Sequence, residues 1–273
     1  MNMANQFAKK DRYEMQDLLE IMALLRGEGG CPWDQKQTHE SIRNNFLEET
    51  YEVLEAIDAG DPAMMREELG DVLLQVVFHA QMEQEAGRFD FADVCNDICQ
   101  KLIVRHPHIF GDVQADTSEE VLANWDRIKM QTKGQKAASE TLESVPKILP
   151  ALMRSSKVQS CAGKAGFDYP DLTWAFQDLQ SEVEELRQGI ANQDRENCEE
   201  ELGDLLFAAV NVSRFLKLDA EESLSKACDK FIRRFTQVER MAQQRGVDMK
   251  SASIQELDGL WKEAKKQNKA SDV

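Results

Sequence analysis

Apolar residues recur along this chain at helical spacing. Leu18, Ile21, Met22 and Leu25 share one face of an early helix, and Leu179, Val183, Leu186 and Ile190 repeat a four-three-four rhythm in the second half. No segment sustains the period-two alternation of a half-buried strand. Six prolines and 14 glycines are few interruptions for 273 residues. The pattern predicts an all-α chain.

The polar positions add a second regularity. Glu49-x-x-Glu52 followed by Glu68-x-x-Asp71 returns as Glu182-x-x-Glu185 followed by Glu201-x-x-Asp204, and the gap between the two acidic pairs is the same in both copies. Leu69-Gly70-Asp71 returns as Leu202-Gly203-Asp204. Lys101 and Arg105 return as Lys230 and Arg234, Trp125 and Lys129 as Trp261 and Lys265, and Trp33-Asp34 as Phe167-Asp168. Features recurring in one order mark an internal repeat. The expected organisation is two tandem helical bundles, 1–130 and 147–273, of about four or five helices each. A polar linker, 131–146, would join them.

Each copy reads as a helical hairpin. Asp58-Ala59-Gly60-Asp61-Pro62 is a turn signal, with proline suited to the first turn of the following helix. The two acidic pairs centre on Gly60 in one copy and on Gln193 in the other, so in an antiparallel hairpin they face each other, about 14 Å from the turn. An i, i+3 pair shares one helix face. The helix bearing Glu68 and Asp71 also carries Leu69, Val72, Leu73, Leu74, Val76, Val77 and Phe78, and so is expected to be buried. Buried carboxylates need a cationic partner, and an oxygen-only ligand set suits Mg²⁺ or Mn²⁺. Glu49, Glu52, Glu68 and Asp71, with Glu182, Glu185, Glu201 and Asp204, are therefore the metal-ligand candidates. Neighbouring Glu48, Glu55, Glu67, Glu184 and Glu200 read as surface charge.

The basic i, i+4 pairs, Lys101 with Arg105 and Lys230 with Arg234, suit the phosphates of a metal-bound substrate. Trp125 and Trp261 are either core aromatics or stacking positions, with Lys129 and Lys265 one turn away. Gly70 and Gly203 interrupt helices where glycine costs about 1 kcal/mol relative to alanine; close approach of a ligand or of another helix would explain both. His106-Pro107-His108 has no counterpart in the second copy and reads as structural. No Glu-x-x-His occurs, which argues against a di-iron bundle, and no phosphate-cradling glycine loop is present.

Composition narrows the partners. Fifty acidic against 33 basic residues give a net charge of −17, which repels nucleic acid and anionic membranes but not a metal-complexed phosphate. No apolar run is long enough for a bilayer and no secretory h-region opens the chain. The six cysteines form no CxxC pair and read as reduced thiols of a cytoplasmic protein.

Gly30-Cys31-Pro32-Trp33-Asp34, Glu48-Glu49-Thr50-Tyr51-Glu52, Glu67-Glu68-Leu69-Gly70-Asp71 and Arg105-His106-Pro107-His108 resemble the MazG family of nucleoside triphosphate pyrophosphohydrolases. So do Val158-Gln159, Gly166-Phe167-Asp168, Glu200-Glu201-Leu202-Gly203-Asp204 and Lys230-Phe231-x-Arg233-Arg234, and the likeness runs from about Leu18 to Lys265. The resemblance implies Mg²⁺-dependent hydrolysis of nucleoside triphosphates to monophosphate and pyrophosphate, in the service of nucleotide-pool control. It also implies a homodimer, with the second copy the better catalyst. Under it the acidic quartets hold the metal, Glu182 or Glu49 activates water, and the basic pairs contact phosphates. Trp261 with Lys265, or Trp125 with Lys129, closes over the nucleotide. A regulatory module that binds metal and nucleotide without turnover is the competing expectation.

Overall fold

The computed structural model describes residues 7–115, 117–132 and 137–271, side chains excepted at 123, 126, 129, 131 and 267–271. The described residues form twelve α-helices and no strand. The chain divides into two compact units, 1–129 and 130–273. In the first lie α1 (Met15–Arg26), α2 (Arg43–Ala59), α3 (Pro62–Glu85), α4 (Phe91–Arg105), α5 (Pro107–Phe110) and α6 (Ser118–Thr132), whose last turn crosses the division. The second contains α7 (Ala138–Glu143), α8 (Ala151–Lys164), α9 (Leu172–Asn192), α10 (Arg195–Phe215), α11 (Ala220–Arg245) and α12 (Ile254–Ser271). The stretch expected as a linker is thus partly helical: α7 packs against α8. Residues 133–136 of that stretch lie outside the described residues.

Each unit is organised around one antiparallel hairpin, α2 with α3 and α9 with α10. The two turns are built alike. Gly60 ends α2 in the left-handed region at φ 62°, and Gln193 ends α9 there at φ 58°. Asp61 and Asp194 then cap the next helix, their carboxylates accepting from Ala63 and Met64 N–H and from Asn197 N–H. Glycine takes that backbone conformation freely, whereas glutamine does so at a steric cost. Near the second turn Gly189 is buried, and a Cβ there would meet Asn197 Oδ1 at 2.8 Å, so the missing side chain lets α10 lie close.

The units differ in what backs the hairpin. In the first, α1 and α4 pack on α3, and Met22, Ile42, Val77, Phe78 and Met82 form the core. In the second, Val238, Met241, Ala242, Leu260 and Ala264 form a core between α11 and α12, while α8 and α11 lie against α10. The expectation that the acid-bearing helix is buried all round is corrected. Gln75, Val77, Phe78, Ala80 and Met82 in the distal half of α3 are buried, but Leu69 is 51 % exposed beside the acids, and Leu73 is exposed too. The α1 core residue Met22 reaches only the distal half. Leu202 and Leu206 are equally exposed on α10, as are Val183 and Ile190 of the predicted apolar face of α9.

Candidate active site

The hairpins deliver most of each acidic quartet to one point. Glu49 on α2 and Glu68 and Asp71 on α3 each offer a carboxylate oxygen, all within 4.8 Å of one another. Glu182 on α9 with Glu201 and Asp204 on α10 repeat the arrangement within the same distance. Glu52 stands beside the first trio, hydrogen-bonded to Glu49 and Glu68. Glu185 is exposed, accepts a hydrogen bond from Ser181 Oγ at 2.9 Å and lies outside the second trio, though its charge reaches Glu182. Asn197 Nδ2 donates to Glu201 at 2.8 Å and orients it.

This crowding shifts the carboxyls. Partial burial, then the Glu52 hydrogen bond and the charges of Asp71, Glu52 and Glu68, push the Glu49 carboxyl above the usual carboxylate range. Burial and the charges of Glu52, Glu67 and Asp71 raise Glu68. Burial, then Glu185, Asp178, Asp204 and Glu201, raise Glu182. Like charges gathered this closely disfavour ionisation, and a cation among them reverses that. The donor set is all oxygen, which fits a hard divalent ion.

The basic and aromatic candidates occupy the flanking helices. Lys101 is exposed on α4, and the Arg105 guanidinium lies 5.1 Å from the centre of the Trp125 ring on α6. His106 meets the same ring edge-on at 5.0 Å while its Nδ1 bonds Leu102 O at 2.6 Å, so the His-Pro-His run ties α4 to α6. The Lys129 side chain lies outside the described residues. Lys230 and Arg234 lie on α11, which packs against α10; Lys230 is exposed, and Arg234 Nε is buried without a hydrogen-bond partner. Trp261 packs against the core between α11 and α12 and meets Phe231 at 5.1 Å, with Lys265 exposed one turn on. A Cβ at Gly70 or Gly203 would meet nothing within 4 Å, so packing within the unit explains neither glycine. All six cysteines are unpaired.

Two groupings escaped the sequence reading. In the second unit Arg214 holds Asp168 through both guanidinium nitrogens, one at 2.9 Å, and Tyr169 bonds Asp178, around a cavity of about 460 Å³. The recurrence of Trp33-Asp34 as Phe167-Asp168 was the available signal. In the first unit His39 Nδ1 lies 2.7 Å from His79 Nδ1, and His39 Nε2 lies 2.6 Å from Glu83, which Arg88 also holds. Residues so far apart along the chain leave no spacing pattern.

The chain is thus an all-helical protein of two tandem α-hairpins, each gathering carboxylates from two helices. A family model described as the MazG nucleotide pyrophosphohydrolase domain matches residues 37–110 and 174–239, one hairpin in each segment. The nucleoside triphosphate pyrophosphohydrolase of Escherichia coli K12 is 46 % identical over 259 residues, covering 93 % of this chain and 98 % of that protein. The nucleoside triphosphate pyrophosphohydrolase/pyrophosphatase MazG of Thermotoga maritima is 44 % identical over 250 residues, 92 % of this chain and 95 % of that protein. YabN of Bacillus subtilis is 45 % identical over 95 % of this chain but only 53 % of its own length. The chain belongs to the MazG nucleotide pyrophosphohydrolase family.

Proposed function

We propose that this protein hydrolyses nucleoside triphosphates to nucleoside monophosphate and pyrophosphate, using Mg²⁺ or Mn²⁺, and that its second unit is the better catalyst. The observation that carries the hydrolytic reading is the meeting of Glu182, Glu201 and Asp204 within 4.8 Å, as of Glu49, Glu68 and Asp71; the choice of the second unit rests on the family resemblance. The pyrophosphohydrolase activity for which the Escherichia coli and Thermotoga maritima relatives are named supports it. Glu185 completes the ligand set from the same helix face as Glu182. A bound divalent ion would neutralise phosphate charge during displacement.

The chain's own groups supply the rest. Glu182, with its raised carboxyl, takes the proton of the attacking water. Water oxygen bonds to phosphorus, the bridge between the α- and β-phosphates breaks, and pyrophosphate leaves. Lys230 and Arg234 stabilise the departing charge, and Trp261 and Lys265 close over the nucleotide. Glu49, Glu52, Glu68 and Asp71, with Lys101, Arg105, Trp125 and Lys129, offer the same roles in the first unit.

Controlling nucleotide pools in the cytoplasm suits such an activity. No helix among the described residues is long and apolar enough to cross a membrane. The exposed Leu69, Leu73, Leu202 and Leu206 support a homodimer that covers them. Product analysis over the common ribo- and deoxyribonucleoside triphosphates tests the activity: pyrophosphate and monophosphate are expected, and orthophosphate as first product rejects it. Calorimetric binding of Mg²⁺ and nucleotide with no turnover would instead establish the regulatory module.

A further inference from the structure

We propose that the cavity in the second unit seats the base of the nucleotide whose phosphates meet Glu182, Glu201 and Asp204. This rests on the pyrophosphohydrolase reading and adds a binding subsite to it. The cavity measures about 460 Å³, within the range of small-molecule pockets. It adjoins the acids through two helices at once. Asp178 lines it one turn before Glu182 on α9, and Phe207 and Ala208 line it one turn after Asp204 on α10. Tyr169, in its wall, bonds Asp178 and senses the charge of Glu182.

The lining suits an uncharged, planar, hydrogen-bonding ring. Its one cation, Arg214, is already paired with Asp168, and Asp178 accepts a hydrogen bond from the Tyr169 hydroxyl. The Asp168–Arg214 pair is held tightly, since a Cβ at Gly163 would meet Asp168 Oδ2 at 2.7 Å. An anionic guest would gain no free counter-charge there. Two amides remain to read an edge. Gln159 is 6 % exposed; its Nε2 donates to Phe207 O at 2.7 Å, and its Oε1 is buried without a partner. A buried orphan acceptor calls for a donor. Asn211 Oδ1 is taken by Arg214, which leaves its amide N–H groups to donate. An acceptor beside a donor matches the N–H and ring-nitrogen or carbonyl edge that nucleobases present. At the mouth Phe167 is 84 % exposed, with no packing role in its own unit, and offers a face on which a base can stack.

Phe167→Ala and Gln159→Leu in the full-length protein test this. Binding of the non-hydrolysable α,β-methylene ATP with Mg²⁺, followed by calorimetry, should weaken about fivefold or more in each variant. Inorganic tripolyphosphate, which has the phosphates and no base, should bind each variant as it binds the parent. Steady-state turnover should show the loss in KM, with kcat little changed. The proposal is overturned if the analogue binds both variants as tightly as the parent, if the parent does not bind it, or if tripolyphosphate weakens in parallel. The last result would mean that these residues merely support the acidic cluster. Absence of triphosphate hydrolysis by the parent is read separately and rejects the activity, whatever the binding shows.

Discussion

The two hairpins carry the same acids on the same turn, yet they stand against different surroundings. Counted from the matching glutamates Glu68 and Glu201, Val77 of α3 falls opposite Val210 of α10, and both are 1 % exposed. The next position separates the units: Phe78 is buried in the first core, whereas Asn211 lines the second unit's cavity. Gln81 likewise matches Arg214, the residue that fastens Asp168. A phenyl ring thus fills, in one unit, a place that the other keeps polar and open. Duplicated acids do not make duplicated surroundings; the room beside them differs between the copies.

That contrast is broken most directly by the acids themselves. Glu201→Gln should lower turnover of the full-length protein by about 10³-fold, the scale of removing a group that acts on developing charge. Glu68→Gln, at the same place in the first hairpin, should leave most turnover intact. Equal losses in steady-state assays would show that both units work and that the filled position at Phe78 is no obstacle. Stability should show the reverse asymmetry. Phe78→Ala removes a core ring and should cost about 3 kcal/mol in denaturant unfolding. Asn211→Ala, at a cavity wall, should cost under about 1 kcal/mol while weakening nucleotide binding. A similar cost at both positions would mean that α10 depends on Asn211 for packing.

The acidic hairpins were legible because their information is local. The i, i+3 spacing fixes a helix face, and equal distances from Gly60 or Gln193 fix the height, so the meeting of Glu49 with Glu68 and of Glu182 with Glu201 follows from helix geometry. Glu185 shares that face with Glu182 but stands outside the trio, exposed and accepting from Ser181 Oγ. The exposure of Leu69 and Leu202 was not legible, since an apolar run around a helix does not say which elements cover it. Nor was the base-sized cavity, which α8, the turn after it, α9 and α10 enclose through contacts distant in sequence. The tryptophans were ambiguous for the same reason. Trp261 has settled against the α11–α12 core, while Trp125 is held by Arg105 and His106.

The smallest expected difference concerns protons. All four histidines of the chain lie in the first unit, and His39 and His79 stack there with their rings 5.0 Å apart and 3° from parallel. His39 Nε2–H donates to Glu83, so its Nδ1 accepts from His79 Nδ1–H, and one proton occupies the space between the rings. Burial, and then the neighbouring His39, hold the His79 imidazole below its ordinary value, with Glu83 opposing. Arg88 and Glu40 are the other charges that act on this group of residues. Because the folded state resists protonation more than the unfolded chain does, this contribution is full above the ordinary histidine pKa and is lost as pH falls through it toward the depressed value. Hydrogen exchange resolved by peptide should therefore show 62–85 losing protection between pH 7.5 and 5.5, relative to 195–215, where no histidine titrates. His79→Phe should flatten that difference. The Glu83 carboxyl, held down to about 2 mainly by Arg88, gives stability that is full above its ordinary value and is lost only as pH falls below it, outside this window. Parallel loss of protection in both segments would assign the acid sensitivity to the carboxylates the two units share.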